Sequence, residues 1–174
     1  MQIRRLVAAD AREYWQTRNR GLAEFPDAFT TTYEEGFATS PDQLARRFGG
    51  AGCDDFVVGA FAADGNLAGF AGFQRETRLK NRHRGTLLGM YVVPEFRGQH
   101  VGRRLLDRLI DEVRALDGME QLNLTVTHSN EGARALYLQA GFVTFGLEKR
   151  ALKTGSGYYD KEYMALMLKP GSVP

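Results

Sequence analysis

A chain of 174 residues, 43% hydrophobic and 25% charged, is long enough to bury one core and too short for two comfortable ones, so one domain is expected over residues 1–174. Lys+Arg 23 against Asp+Glu 21 leaves a net charge of +2, which excludes a global basic field for nucleic acid and makes any anion site local. A single cysteine, Cys53, excludes an internal disulfide, and the N-terminus leads into no apolar stretch of signal or membrane length, so a cytoplasmic protein without membrane contact is expected.

Residues 2–6 read as a first strand. Asp10 can cap a helix that carries Ala11, Tyr14, Trp15 and Arg18 on nearby faces and closes at Phe25-Pro26. An irregular aromatic stretch follows over residues 29–37. Ser40-Pro41 then supplies a cap and a proline at the first helical position, which predicts a second helix over residues 41 to about 48, broken by Gly49-Gly50. Residues 56–62 and 67–73 are apolar runs joined by Ala63-Asp64-Gly65-Asn66, a tight antiparallel hairpin, and Gly59, Gly69 and Gly72 within it imply close packing.

Residues 86–93 form the next predicted strand, and the chain then runs Pro94-Glu95-Phe96-Arg97-Gly98-Gln99-His100-Val101-Gly102-Arg103 into a helix. Strand, glycine-bearing turn and helix start in immediate succession make an anion seat. The first amides of a helix lack intrahelical acceptors, and the dipole adds positive potential there. Arg103 and Arg104 in the first turn, with Arg97 just before it, oppose that dipole, a conflict that a bound polyphosphate removes. Val101, Leu105, Leu106, Leu109, Ile110, Val113 and Leu116 fall on one stripe and charged residues on the other face, so this helix should lie flat on the sheet until Gly118. A second apolar strand, Gln121–Thr127, leads into Ser129-Asn130-Glu131-Gly132-Ala133-Arg134-Ala135-Leu136-Tyr137-Leu138-Gln139-Ala140-Gly141-Phe142. There Ala133, Leu136, Tyr137 and Ala140 share a helical face and Gly141 is placed just past the helix end. Two terminal strands, residues 143–152 and 158–168, meet at Thr154-Gly155-Ser156-Gly157.

Arg97 through Gly102 resembles the acyl-CoA pyrophosphate loop of the GNAT superfamily of N-acetyltransferases. Asn130 through Ala133, with Tyr137 to Gly141-Phe142, is similar to that family's second cofactor helix. The two motifs are specific together at this spacing, and either alone is weak. The order strand, two helices, three antiparallel strands, helix, strand, helix, two strands agrees with the family's layout, so the resemblance covers nearly the whole chain and is firmest over residues 86–142. It implies an α/β fold of the α+β type: a mixed, mostly antiparallel sheet of about seven strands flanked by about four helices. It also implies acetyl transfer from acetyl-CoA, as co-substrate and without a metal, to a primary amine of a small molecule or, less expected, of a peptide.

The resemblance further implies roles for particular residues. The strand 88–93 splays from its neighbour, so that the backbone of Met90, Tyr91 and Val92 pairs with pantetheine amides and faces the thioester carbonyl. Arg97, Gly98, Gln99, His100, Val101, Gly102 and Arg103 seat the diphosphate. Tyr137 gives a proton to the departing sulfur, or is only a buried member of its stripe; Asn130 hydrogen-bonds the pantetheine arm, or only caps its helix. His100 departs from the pattern, standing where glycine is expected, although histidine is among the less penalised residues at positive φ.

Thr86-Leu87-Leu88-Gly89-Met90 carries no carboxylate where many relatives place a general base, which leaves Glu34 or Glu35 as candidates against a reading as ordinary surface charges. Phe29, Tyr33 and Tyr159 either line an acceptor pocket or pack in the core. The basic run Arg75, Arg78, Lys80, Arg82, His83 and Arg84, opposed only by Glu76, reads as a solvated connection or as a dock for an anionic acceptor. His83 and His128 lack metal-ligand partners at suitable spacing. No cysteine or serine stands beside an activating base, so direct attack is expected. The alternative class is a non-catalytic acyl-CoA-binding domain; a nucleotide-binding domain fits poorly, because neither a Walker ending nor a three-glycine dinucleotide spacing is present. The expected partner is a small-molecule amine, with a homodimer allowed and no nucleic acid.

Overall fold

The computed structural model, which describes residues 1–46, 48 and 54–168, runs β1 (Gln2–Arg5), α1 (Ala11–Glu24), α2 (Tyr33–Ala38), α3 (Pro41–Ala45), β2 (Phe56–Phe61), β3 (Leu67–Arg75), β4 (Arg84–Val92), α4 (Val101–Arg114), β5 (Gln121–Thr127), α5 (Glu131–Gln139), β6 (Val143–Thr154) and β7 (Gly157–Met167). The seven strands form one sheet in the order β1-β2-β3-β4-β5-β7-β6. Neighbours are antiparallel except β4 and β5, which pair in parallel. The mixed, mostly antiparallel sheet expected from the sequence is therefore the architecture. Cys53 and the Gly49-Gly50 break lie outside the described residues. No helix among the described residues is long and apolar enough to cross a membrane.

The predicted stripe of α4 is the floor of the larger core. Val101, Leu105, Leu106, Leu109, Ile110 and Val113 are buried against Val58, Ala71, Leu122 and Leu124 of the sheet. Each such side chain contributes roughly 1.5–3 kcal/mol, which outweighs the tenths that helix propensity supplies. The opposite face packs under α1, where Tyr14 meets the Phe70 ring edge-on at 4.9 Å and Leu44, Phe61 and Tyr91 complete a second cluster.

Five α-helices stand among the described residues, against about four expected, because residues 29–37 are not wholly irregular. Thr32 and Glu35 form a capping box: Glu35 N donates to Thr32 Oγ1 at 3.2 Å, Thr32 N donates to Glu35 Oε2 at 2.9 Å, and α2 follows. The helix expected over 41–48 starts as predicted, with Gln43 N on Ser40 Oγ, but ends at Ala45, and Phe48 packs on Tyr14 at 5.3 Å. Asp10 stands at the head of α1 without capping it. Its carboxylate instead takes two hydrogen bonds from Arg4, at 2.6 and 2.8 Å, and one from Val7 N, which together hold it below the usual carboxylate range. The basic connection is also less free than its sequence: Arg75 bonds Asp54 at 2.7 Å and the carbonyls of Arg82 and Asp117, and Arg82 lies 3.4 Å from Asp54.

Two of the hairpin glycines let β4 approach β3. A Cβ on Gly72 would lie 3.0 Å from the Leu88 carbonyl oxygen, and one on Gly69 would lie 2.7 Å from the Tyr91 oxygen and 3.2 Å from Leu105 Cδ1. Neither neighbour at Gly69 yields easily, since one is backbone and the other is packed core. Gly69→Ala should lower stability by about 1–3 kcal/mol. The check is a urea unfolding midpoint at constant slope, and an unchanged midpoint contradicts the close approach.

Candidate active site

The sheet opens at its centre. β4 and β5 pair only from Arg84↔Gln121 to Thr86↔Asn123, and beyond that the β5-facing edge of β4 has no strand partner. The same stretch is bulged on its other side. Its register to β3 passes from Phe70↔Tyr91 to Gly72↔Leu88, so Gly89 and Met90 together oppose one residue, and Gly89 adopts φ +55°. A bulge bends and twists its strand, which turns β4 away from β5 and leaves main-chain donors and acceptors facing the cleft.

The loop after β4 ends at the start of α4. Gly98 (φ +75°) and His100 (φ +59°) are both left-handed, so histidine does occupy the conformation for which glycine was expected. The first amide to close a helical bond is Arg104, on His100 O at 3.1 Å. Among the described residues, the amides of 98–103 have no protein acceptor, and the helix dipole adds positive potential at the same end. Gly102 faces the cleft: a Cβ there would lie 3.5 Å from Met90 Cε and Leu136 Cδ2 and 3.7 Å from Val92 Cγ2, so these side chains wall the space beside the donors.

The arginines are held aside from the loop. Arg97 donates to Val92 O at 3.1 Å with its guanidinium 4.5 Å over the Phe25 ring, and Arg103 pairs with Asp107 at 2.8 Å and reaches the Gln139 carbonyl. Gln99 bonds the Glu95 carbonyl at 3.3 Å. The Tyr91 side chain stays out of the cleft, because its ring is buried under α1 and its hydroxyl donates to Glu24 at 2.8 Å, and its carbonyl oxygen is turned toward Gly69 of β3.

Tyr137 lies on the inner face of α5, 6% exposed, edge-on to Phe142 at 5.8 Å. Its hydroxyl points at Met90 Sδ, 3.8 Å away, and a thioether is a weak acceptor. The hydroxyl therefore sits at β4, where the strand leaves β5, with a bond that a better acceptor displaces. Burial pushes this phenol above its ordinary value and keeps it protonated. Asn130 does cap α5, its Oδ1 accepting from Ala133 N at 3.2 Å, and it also borders a cavity of about 140 Å³ lined by Phe25, Asp27, Ala28, Thr127 and Ser129. Thr127 Oγ1 ties this cavity's roof down by donating to the Asp27 carbonyl at 2.7 Å.

None of the five predicted acceptor residues lines that cavity. Phe29 packs against the second core cluster, Tyr33 lies 5.8 Å from the Phe37 ring on the surface, and Glu34 is exposed. Glu35 is engaged in the α2 capping box, and the Tyr159 hydroxyl bonds Ser156 Oγ at 2.8 Å in the β6–β7 hairpin. Of the residues that do line it, Asn130 was expected from the sequence, as a cofactor contact, whereas Asp27, Ala28 and Thr127 were not singled out.

Residues 22–142 match the model of the acetyltransferase (GNAT) family. The chain belongs to the GNAT family. Over 81 residues this GNAT chain is 38% identical to the ribosomal protein bS18 alanine N-acetyltransferase of Salmonella typhimurium, a match covering 47% of this chain and 54% of that protein. It thus spans about half the length of the curated relatives it matches. Among solved structures it resembles a GNAT phosphinothricin acetyltransferase from Sinorhizobium meliloti in complex with acetyl-CoA, with TM-score 0.84 and 25% identity over 99% of this chain and 91% of that one. It also resembles a GNAT acetyltransferase from Streptococcus pneumoniae, with TM-score 0.79 and 26% identity over 97% and 99%.

Within this GNAT loop, the left-handed conformation makes a separable demand at residue 100. His100→Gly should keep acetyl-CoA affinity within about threefold, whereas His100→Val should cost about 1–2 kcal/mol of stability, the penalty of a β-branched side chain at positive φ. Thermal unfolding with calorimetric titration checks both, and a valine variant as stable as the parent contradicts the loop geometry.

Proposed function

We propose that this chain is an acetyl-CoA-dependent N-acetyltransferase that moves an acetyl group to a primary amine of a small molecule by direct attack. The observation that carries the reading is the end of β4–β5 pairing at Thr86–Asn123, beside an open helix N-terminus and the buried Tyr137 hydroxyl. The residues suit the co-substrate: unpaired amides at 98–103 for a diphosphate, the free edge of β4 for pantetheine amides, and Met90, Val92 and Leu136 for its methylenes. By their names, relatives act on an alanine of ribosomal protein bS18 and on phosphinothricin, so both protein and small-molecule acceptors occur around this chain. The cavity of about 140 Å³ favours the small molecule.

In this reading the amine attacks the thioester carbonyl, a C–N bond forms and the C–S bond breaks. Main-chain amides around Met90 and Val92 support the carbonyl oxygen as it gains charge, and oriented donors of that kind contribute roughly 3–4 kcal/mol. Tyr137 Oη protonates the departing sulfur. No carboxylate stands on β4 between Leu87 and Val92, so the amine's proton leaves to water or to a group outside that strand. This gap is what favours the second reading, an acyl-CoA-binding domain without chemistry. Calorimetry with acetyl-CoA, followed by thiol release across an amine panel, separates the two. Amine-dependent CoA release is expected, and binding without release throughout the panel supports the binding module.

A further inference from the structure

Among the described residues, two opposite charges on the acceptor side make no ion pair. Lys161 of β7 stands opposite Thr127 of β5 in the antiparallel register, which sets their side chains next to each other on one face of the sheet. Both reach the segment between α1 and α2: Lys161 Nζ donates to Thr30 Oγ1 at 2.5 Å, and Thr127 Oγ1 to the Asp27 carbonyl at 2.7 Å. Thr127 and Asp27 line the cavity of about 140 Å³, and Lys161 stands one cross-strand position from Thr127 with its ammonium on Thr30, three residues from Asp27.

Among the described residues no carboxylate lies within 4.0 Å of Lys161 Nζ, and the Asp27 carboxylate has neither a hydrogen bond nor an ion pair. Two cations near it are matched, Lys149 with Asp160 at 2.8 Å and Arg134 with Glu162 at 2.9 Å. Glu148, opposite Lys161 on β6, is bonded by the Tyr163 hydroxyl. A half-buried ammonium supported by one hydroxyl, and attracted by Glu148 only from beyond ion-pair distance, loses hydration that this attraction does not fully offset, and an anionic ligand in contact supplies the rest. Burial accordingly lowers the Lys161 ammonium from its ordinary value.

We propose that the acceptor is an amine that also carries an oxyanion, held with its amino group toward Asp27 and its anion on Lys161; the inference rests on the acetyltransferase reading above. Carboxylate, phosphonate and phosphate share this chemistry. A ligand of that kind fits the observation that Asp27 and Lys161 are tied to one short segment yet make no ion pair with each other.

Matched acceptors test it: amino acids against their amides, and aminoalkylphosphonates and aminoalkyl phosphates against the plain alkylamines, with acetyl-CoA affinity measured beside turnover. The anionic member of at least one pair should react with about tenfold or higher kcat/KM, the range of a charge-assisted hydrogen bond, and the responding arm identifies the anion. Lys161→Met should remove the preference, Lys161→Arg should retain it, and both should leave acetyl-CoA affinity and the unfolding midpoint in place. Equal rates within every pair, a preference that survives Lys161→Met, or acetyl-CoA binding with no turnover of any anionic amine overturns the proposal. Failure to bind acetyl-CoA at all instead removes the acetyltransferase reading beneath it.

Discussion

Tyr137→Phe is expected to lower turnover by about 10²–10⁴-fold, the range of a positioned general acid, while acetyl-CoA affinity changes by less than about threefold. The split follows from where the hydroxyl is. The ring contributes packing against Phe142, which phenylalanine keeps, and the hydroxyl contributes a 3.8 Å contact to a thioether, which is worth little in the ground state. In the proposed mechanism its value comes when the sulfur leaves with negative charge, so the loss appears in kcat. Burial raises the phenol above its ordinary value, and only its protonated form donates, so turnover should show no alkaline loss from this group below about pH 10. Single-turnover rates with a chemistry-limited acceptor measure the effect. A phenylalanine variant that turns over like the parent removes the proton-donor role.

Gly102 offers the second large effect, because binding should fall without loss of stability. A Cβ at this position makes ordinary contacts at 3.5 Å, so Gly102→Ala should fold at least as well as the parent, with up to about 1 kcal/mol gained from helix propensity. Gly102→Leu has further atoms to place, and the space available is the one bounded by Met90, Val92 and Leu136. It should retain the unfolding midpoint and weaken acetyl-CoA binding by tenfold or more, as a side chain in the cleft excludes the ligand. A leucine variant with parental affinity places the ligand elsewhere.

The parts of the fold legible in the sequence are those encoded locally. The apolar stripe from Val101 to Val113, the Ser40-Pro41 cap and the 63–66 turn each depend on neighbours within a few residues, and all three stand in the structure. The loop before α4, proposed above as the phosphate seat, was legible for the same reason, since its glycine, its left-handed residue and the helix start are near neighbours. The separation of β4 from β5 was expected only through the family resemblance, not from the residues themselves. It arises from pairing between residues 84–86 and 121–123 that stops, and pairing across such a distance leaves no spacing signal; Gly89 inside a strand was its local trace. The capping box of Thr32 and Glu35 was readable by its spacing, but the density of aromatic residues around it looked irregular. It also absorbs Glu35, one of the two predicted bases. The cavity proposed for the acceptor draws on Phe25, Asp27, Ala28, Thr127, Ser129 and Asn130, two segments distant in sequence, and Lys161 comes beside Thr127 from a third through the β5–β7 pairing.

Amide hydrogen exchange, followed residue by residue with and without acetyl-CoA, tests the central claim most directly: that open amides at the start of α4 and the free edge of β4 hold the co-substrate. At saturating acetyl-CoA, the amides of residues 98–103, together with cleft-facing amides among residues 88–92, should become protected, while the β6–β7 hairpin stays as it was. Saturation that leaves residues 98–103 exchanging at their unliganded rates would contradict the account.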